Sequence, residues 1–237
     1  MRPLSPHAQK GWGETLPNIR SSAAPTSWGE TAPILQRHEW FSMADARRQS
    51  SMTVEEFLQW SLSQEERHEL VDGVPVPLRA MAGAKAEHDV IVVNLIAELR
   101  NQLRGTPCGP RTADTAVRTK IRNVRRPDVT IECAPVERGA LEARNPVAVF
   151  EVLSPTTRKI DRSVKLQEYR RHPSLRVIVH LDPDLMDVIV YARDAAGDWN
   201  DLRLDQPDDC IVVPDTPVSI RLADVYDGVP VASLPER

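Results

Sequence analysis

The sequence predicts an α/β domain built on a mixed central β-sheet flanked by helices. Three observations predict it. From Thr112 onward, short apolar runs rich in β-branched residues recur at 115–121, 128–133, 147–153, 176–182 and 188–192, each bounded by turn residues. Ahead of them, residues 86–103 carry apolar side chains at helical spacing. A second helical stretch, about 161–172, separates two of the strands and is closed by Pro173, as a crossover helix would be.

In chain order, residues 1–50 are rich in Pro, Ser and Ala, lack periodicity and contain a loose echo of Trp-Gly-Glu-Thr. They are expected to be a disordered leader or a mis-assigned start, with Met43 and Met52 as alternative initiators. The domain is expected over 51–228, followed by a tail at 229–237. Thr53 and Glu56 form a capping box opening a short amphipathic helix. Residues 67–73 read as a strand ending in an Asp-Gly turn, with Val74-Pro-Val as the returning strand. In the long helix the expected apolar face is Val90, Val93, Ile96, Ala97 and Leu99, and Gly105 ends it. Residues from Val218 to Tyr226 read as a last strand leading into a helical turn.

With 237 residues, 41% hydrophobic and 27% charged, the chain has the make-up of a globular domain with a core of ordinary size. Its longest apolar runs are far too short to cross a bilayer, and no secretory apolar region opens it. Cys108, Cys133 and Cys210 are widely spaced and form no CxxC pair, so reduced thiols, no structural zinc and a cytoplasmic location are expected. The net charge of −4 argues against an obligate nucleic-acid coat protein, but the charges segregate. Arg118, Lys120, Arg122, Arg125 and Arg126 lead into Asp128, and Arg158, Lys159, Arg162, Lys165, Arg170 and Arg171 follow Glu151. The acidic excess comes later, from Asp182 to Asp209.

Between those basic bands stand Asp128 and Glu151, each inside an apolar strand run. A buried charge costs several kcal/mol unless something pairs with it. Two such carboxylates on neighbouring strands, with Lys165 on the next helix, suggest an oxygen-ligand site for a hard divalent cation. Blander readings compete. Asp161 and Lys165 are spaced for an i,i+4 ion pair, Asp128 could start a strand with a turn-type hydrogen bond, and Glu151 could pair with Arg125 or Arg126.

Pro127-Asp128, Glu151-Val-Leu-Ser-Pro155 and Asp161-x-x-x-Lys165-x-x-x-Tyr169, in this order, resemble the Uma-two family of restriction-endonuclease-like proteins, within the PD-(D/E)XK nuclease superfamily. The resemblance takes in Glu69-Leu-Val-Asp-Gly73, His88 and Leu181-Asp-Pro183, and covers roughly 52–227. It implies a restriction-endonuclease-like core with Asp128 and Glu151 as metal ligands. It also implies a displaced lysine: the superfamily's usual position holds Leu153, and Lys165 stands in for it.

The chemistry asks for these residue types. A carboxylate-held Mg²⁺, with Mn²⁺ as substitute, acts as Lewis acid and template and keeps several waters, so one or two carboxylates suffice. Asp128 and Glu151 would hold it, with the Val152 carbonyl as third ligand. Lys165 would orient or deprotonate water or stabilise phosphorane charge, and Glu69 would add a ligand or position a water. His88 is a weaker candidate; for it and Glu69 taken alone, a structural role is the commoner one. The expected function is a metal-dependent endonuclease on nucleic acid, DNA by preference, with the basic bands gripping phosphates, with no membrane partner and with a homodimer for duplex cleavage. The alternatives are a non-catalytic nucleic-acid- or protein-binding module keeping the fold, and an unrelated hydrolase of small phosphoesters.

Overall fold

The computed structural model describes residues 51–78, 86–153 and 161–231, without the side chains of 161 and 162. The expected leader, Ser154, Arg158, Lys159 and most of the expected tail lie outside the described residues. Helix α1 (Val54–Ser61) opens on the expected box: the Glu56 amide donates to Thr53 Oγ1 and the Thr53 amide donates to Glu56 Oε2. Strand β1 (His68–Val71) folds back onto β2 (Val74–Pro77) through Asp72 and Gly73, both at positive φ, the conformation a two-residue hairpin turn requires.

Helix α2 spans Ala86–Gln102. It is followed by β3 (Gly109–Thr112), β4 (Val117–Lys120), β5 (Asn123–Arg125), β6 (Val129–Glu132) and β7 (Pro146–Val152). A π-helical turn, Asp161–Lys165, runs into α3 (Leu166–Arg170), and β8 is Val177–Leu181. Then come β9 (Val188–Arg193), β10 (Trp199–Leu204), β11 (Cys210–Val212), β12 (Ser219–Arg221) and α4 (Leu222–Val225).

A mixed six-stranded sheet, in the order β10-β9-β8-β7-β6-β3, forms the centre. Only β7 and β8 pair in parallel in that sheet, and the helical segment between them supplies the crossover that parallel pairing needs. These two strands are apolar almost throughout because both faces are covered. On one side Ile91, Leu95 and Leu99 of α2 share a core with Phe150, Val152 and Val179. On the other, Leu166 and Tyr169 of α3 pack with Val149 and Ile178. Among the described residues no helix is long and apolar enough to cross a membrane.

Three expectations are corrected. The 115–121 run does not join the sheet of Asp128 and Glu151; β4 pairs with β5 in a separate four-stranded sheet, β2-β1-β5-β4. Ile121 is solvent-exposed at the tip of the β4–β5 hairpin, and Leu70 of β1 then pairs with Val124. A four-residue strand carries no mark of which sheet it will join. In α2 the buried stripe is His88, Ile91, Leu95 and Leu99, while Val93 is 63% exposed. The run Val90-Ile-Val-Val is apolar all round, so the periodicity left the face ambiguous. Finally, Cys108 and Cys133 form a disulfide, against the expectation of reduced thiols. The β3–β6 register pairs Gly109 with Glu132 and so brings the two cysteines beside each other, which spacing along the chain does not reveal.

Candidate functional site

Asp128 follows Pro127 and precedes β6 by one residue. Val129 pairs with Phe150, so continuing the register by one step brings Asp128 alongside Glu151. Asp128 Oδ2 accepts the Val152 amide at 2.8 Å and lies 3.4 Å from His88 Nε2. Its side chain is 14% exposed, which leaves it in reach of solvent. Strand alternation turns Phe150 and Val152 toward α2 and Glu151 toward α3. There Glu151 Oε1 accepts the Tyr169 hydroxyl at 2.7 Å and stands 3.5 Å from Lys165 Nζ.

From Lys165 the charges alternate through the interior. Its ammonium lies 3.2 Å from Glu69 Oε1. Glu69 Oε2 meets Arg125 Nη1 at 2.9 Å, and Oε1 also accepts the Arg126 amide at 3.2 Å. Arg125 donates from Nε and Nη2 to the two oxygens of Glu168, at 2.8 and 3.0 Å. Glu168 further accepts Thr119 Oγ1 and Asn123 Nδ2, both at 2.8 Å, and lies 3.3 Å from Lys120.

The neighbours decide the protonation states. Burial pushes the Glu69 carboxyl upward, but the charges of Lys165 and Arg125 outweigh it and hold the group below its usual range. Burial acts on Glu168 likewise, yet hydrogen bonds from Arg125 and Thr119 bring it down to about 2. For Arg125, burial favours deprotonation, and Glu168 and Glu69 reverse the effect and raise its pKa. Burial and the Glu151 charge raise Tyr169 well above its ordinary value, so it remains a neutral hydroxyl donor. His88 is lowered by burial, but Asp128 wins and raises it.

Of the residues expected at the site, Glu69, Glu151 and Lys165 come together in one buried cluster. Asp128 reaches the main chain of Val152 and gains His88 as a partner. Among the described residues no three His, Cys, Asp or Glu side chains converge as a metal-holding group. Sequence reasoning assigned no role to Tyr169 and passed over Glu168; a glutamate three residues after Lys165 and beside a buried tyrosine was the available signal. Arg125 corrects an expectation outright. Read from the sequence as part of a phosphate-gripping band, it is 3% exposed and spent on Glu69 and Glu168. Its neighbours are similarly engaged: Arg126 donates to the carbonyls of His68, Ala113 and Asp114, and Arg118 pairs with Glu55 and Glu142.

A mixed sheet with an acid at the start of one strand, a second acid on its neighbour and a lysine on the crossover helix defines a restriction-endonuclease-like α/β protein. Residues 54–224 match the family described as "Uma2: Putative restriction endonuclease". An uncharacterized protein of Synechocystis is 31% identical over 180 residues, which is 75% of this chain and 93% of that relative. The chain belongs to the Uma2 family. Its fold is similar to that of a crystal structure from Anabaena variabilis described as "a putative nuclease belonging to DUF820", with a TM-score of 0.61 and 17% identity over 75% of this chain and 99% of that one.

Proposed function

We propose that this Uma2 protein is a divalent-metal-dependent nuclease that hydrolyses phosphodiester bonds, with DNA as its substrate. The observation that carries the reading is the ammonium of Lys165 at 3.5 Å from Glu151 Oε1, one residue from the Val152 amide that Asp128 holds. A binding module has no need of a lysine drawn into a buried pocket toward two carboxylates.

The donor types suit a hard cation: carboxylates at the entry to β6 and within β7, with the main-chain carbonyl of Val152 as a candidate third oxygen. When bound, Mg²⁺ or Mn²⁺ supplies Lewis acidity toward a phosphoryl oxygen and a template for the attacking water. The protein's own groups do the rest. Tyr169 fixes one oxygen of Glu151 by its hydroxyl hydrogen bond, and His88 with the Val152 amide fixes one oxygen of Asp128. Lys165, placed near two carboxylates, would direct its ammonium toward the water or toward charge developing on the phosphoryl group. Glu69 has both oxygens occupied by Lys165, Arg125 and the Arg126 amide, which makes it the holder of the lysine rather than a ligand of a second ion. Residues 51–228 form the working domain in this reading, and two copies act on a duplex.

The test is cleavage of plasmid DNA by the purified protein. The expected outcome is cutting with Mg²⁺ or Mn²⁺ and none with chelator. Asp128→Ala and Glu151→Ala abolish it, and Lys165→Ala slows it by roughly 10²-fold while sparing metal binding. A binding module gives no cutting under any condition. Retained metal-dependent cutting by Glu151→Ala, with unchanged metal affinity, overturns the assignment.

A further inference from the structure

Lys165 and Glu168 stand three residues apart, one closing the π-helical turn and the other inside α3, and both are buried. Glu69 takes the Lys165 ammonium at 3.2 Å, and Arg125 spans from Glu69 at 2.9 Å to both oxygens of Glu168 at 2.8 and 3.0 Å. The contacts therefore close a ring: Lys165 to Glu69, to Arg125, to Glu168, and back through the helix backbone. Thr119 of β4 and Asn123 of β5 complete the hold on Glu168.

We infer that Arg125 and Glu168 are positioning residues for Lys165, and that the four-stranded sheet is the platform that sets the lysine-bearing helix against Glu151. The part Lys165 plays in catalysis rests on the nuclease reading above; the geometry does not.

Stability alone is a weak reason for such a ring. Buried ion pairs are often no better than apolar residues of similar volume, although breaking one is costly. As a constraint the ring is strong, because the planar guanidinium fixes two carboxylates at set distances and angles. Lys165 needs that constraint. A lysine on a strand is held by the sheet ladder, whereas this one sits where a π turn meets a five-residue helix whose own backbone holds little. Arg125 also shares the charge of Glu69. Without it, the two buried carboxylates would lose the cation they share, and Glu69 would draw Lys165 away from Glu151.

Acetic anhydride labelling of the full-length protein, read at each lysine by peptide mass spectrometry, tests the clamp without requiring activity. In the wild type Lys165 should label slowly. In Arg125→Lys, and in the isosteric Glu168→Gln, it should label at least about tenfold faster while amide-exchange protection of β7 and β8 persists. Arg118→Lys, which alters a surface pair, should leave Lys165 unchanged. In Mn²⁺-dependent cleavage both clamp variants should lose about tenfold in kcat with KM unchanged, and lose nothing further in a Lys165→Met background. Unchanged Lys165 labelling in the folded variants overturns the proposal. So does loss of β7–β8 protection in both, which would make Arg125 and Glu168 supports of the fold alone. Faster labelling in the variants with no cleavage by the wild type keeps the clamp and sinks the nuclease reading instead.

Discussion

The Tyr169 hydroxyl donates to Glu151 Oε1 at 2.7 Å, joining α3 to β7 across 18 residues of sequence. Both residues are buried, and burial together with the Glu151 charge raises the tyrosine pKa, so it donates as a neutral hydroxyl. It fixes one carboxylate oxygen on the face that also receives Lys165.

Tyr169→Phe should therefore cost about 1–3 kcal/mol in urea unfolding, the scale of leaving a buried acceptor short of a donor. In DNA cleavage it should lower kcat by roughly tenfold, because Glu151 loses orientation rather than charge. A variant as stable and active as the wild type would show that the hydroxyl contributes nothing.

Arg125→Ala should destabilise by roughly 3 kcal/mol, since it removes the guanidinium that the buried Glu69 and Glu168 share and leaves them Lys165 and Lys120 as their remaining cations. The slope of DNA affinity against salt should stay the same for the folded protein. A slope smaller by about one would mean that Arg125 contacts a phosphate after all.

Glu168 sets an acid limit. Its folded pKa is about 2, against 4.5 for the free group. A depressed carboxyl stabilises the folded state above the unfolded pKa, and the contribution drains away as pH falls from 4.5 toward 2. On that shift it is on the order of 3 kcal/mol, and the depressed carboxyl of Glu69 adds in the same direction. Urea unfolding at stepped pH should show the gap between wild type and Glu168→Gln constant from pH 7 to about 5, then narrowing. A gap that widens on acidification would contradict the sign.

The Cys108–Cys133 disulfide joins β3 to β6 across a separation of 25 residues. Reduction should lower stability by roughly 3 kcal/mol on loop-entropy grounds. Calorimetry with and without a thiol reductant would show the change, and identical melting would count against the cross-link in solution.

Much of the core was legible because its signals are local. The apolar runs around Glu151 and β8 read as strands, and Thr53 with Glu56 marked the start of α1 to the residue. What stayed hidden depends on partners far along the chain. The Cys108–Cys133 pair follows from the β3–β6 register, and the sheet that β4 joins follows from the pairing of Leu70 with Val124. Arg125 was misread for the same reason. In Arg-Arg-Pro-Asp it reads as surface charge, and only the arrival of Glu69 and Glu168 from elsewhere makes its burial tolerable. At the candidate site, Asp128, Glu151 and Lys165 could be named from the sequence, whereas the Tyr169, His88 and Glu69 contacts that orient them could not.

In the proposed nuclease Asp128 and Glu151 hold one divalent ion, and anomalous diffraction from crystals soaked in Mn²⁺ tests this most directly. A single peak is expected about 2.1–2.2 Å from an oxygen of each carboxylate, with the Val152 carbonyl completing the protein ligands. Carboxyl groups more than about 8 Å apart, or a manganese peak that touches neither, would contradict it.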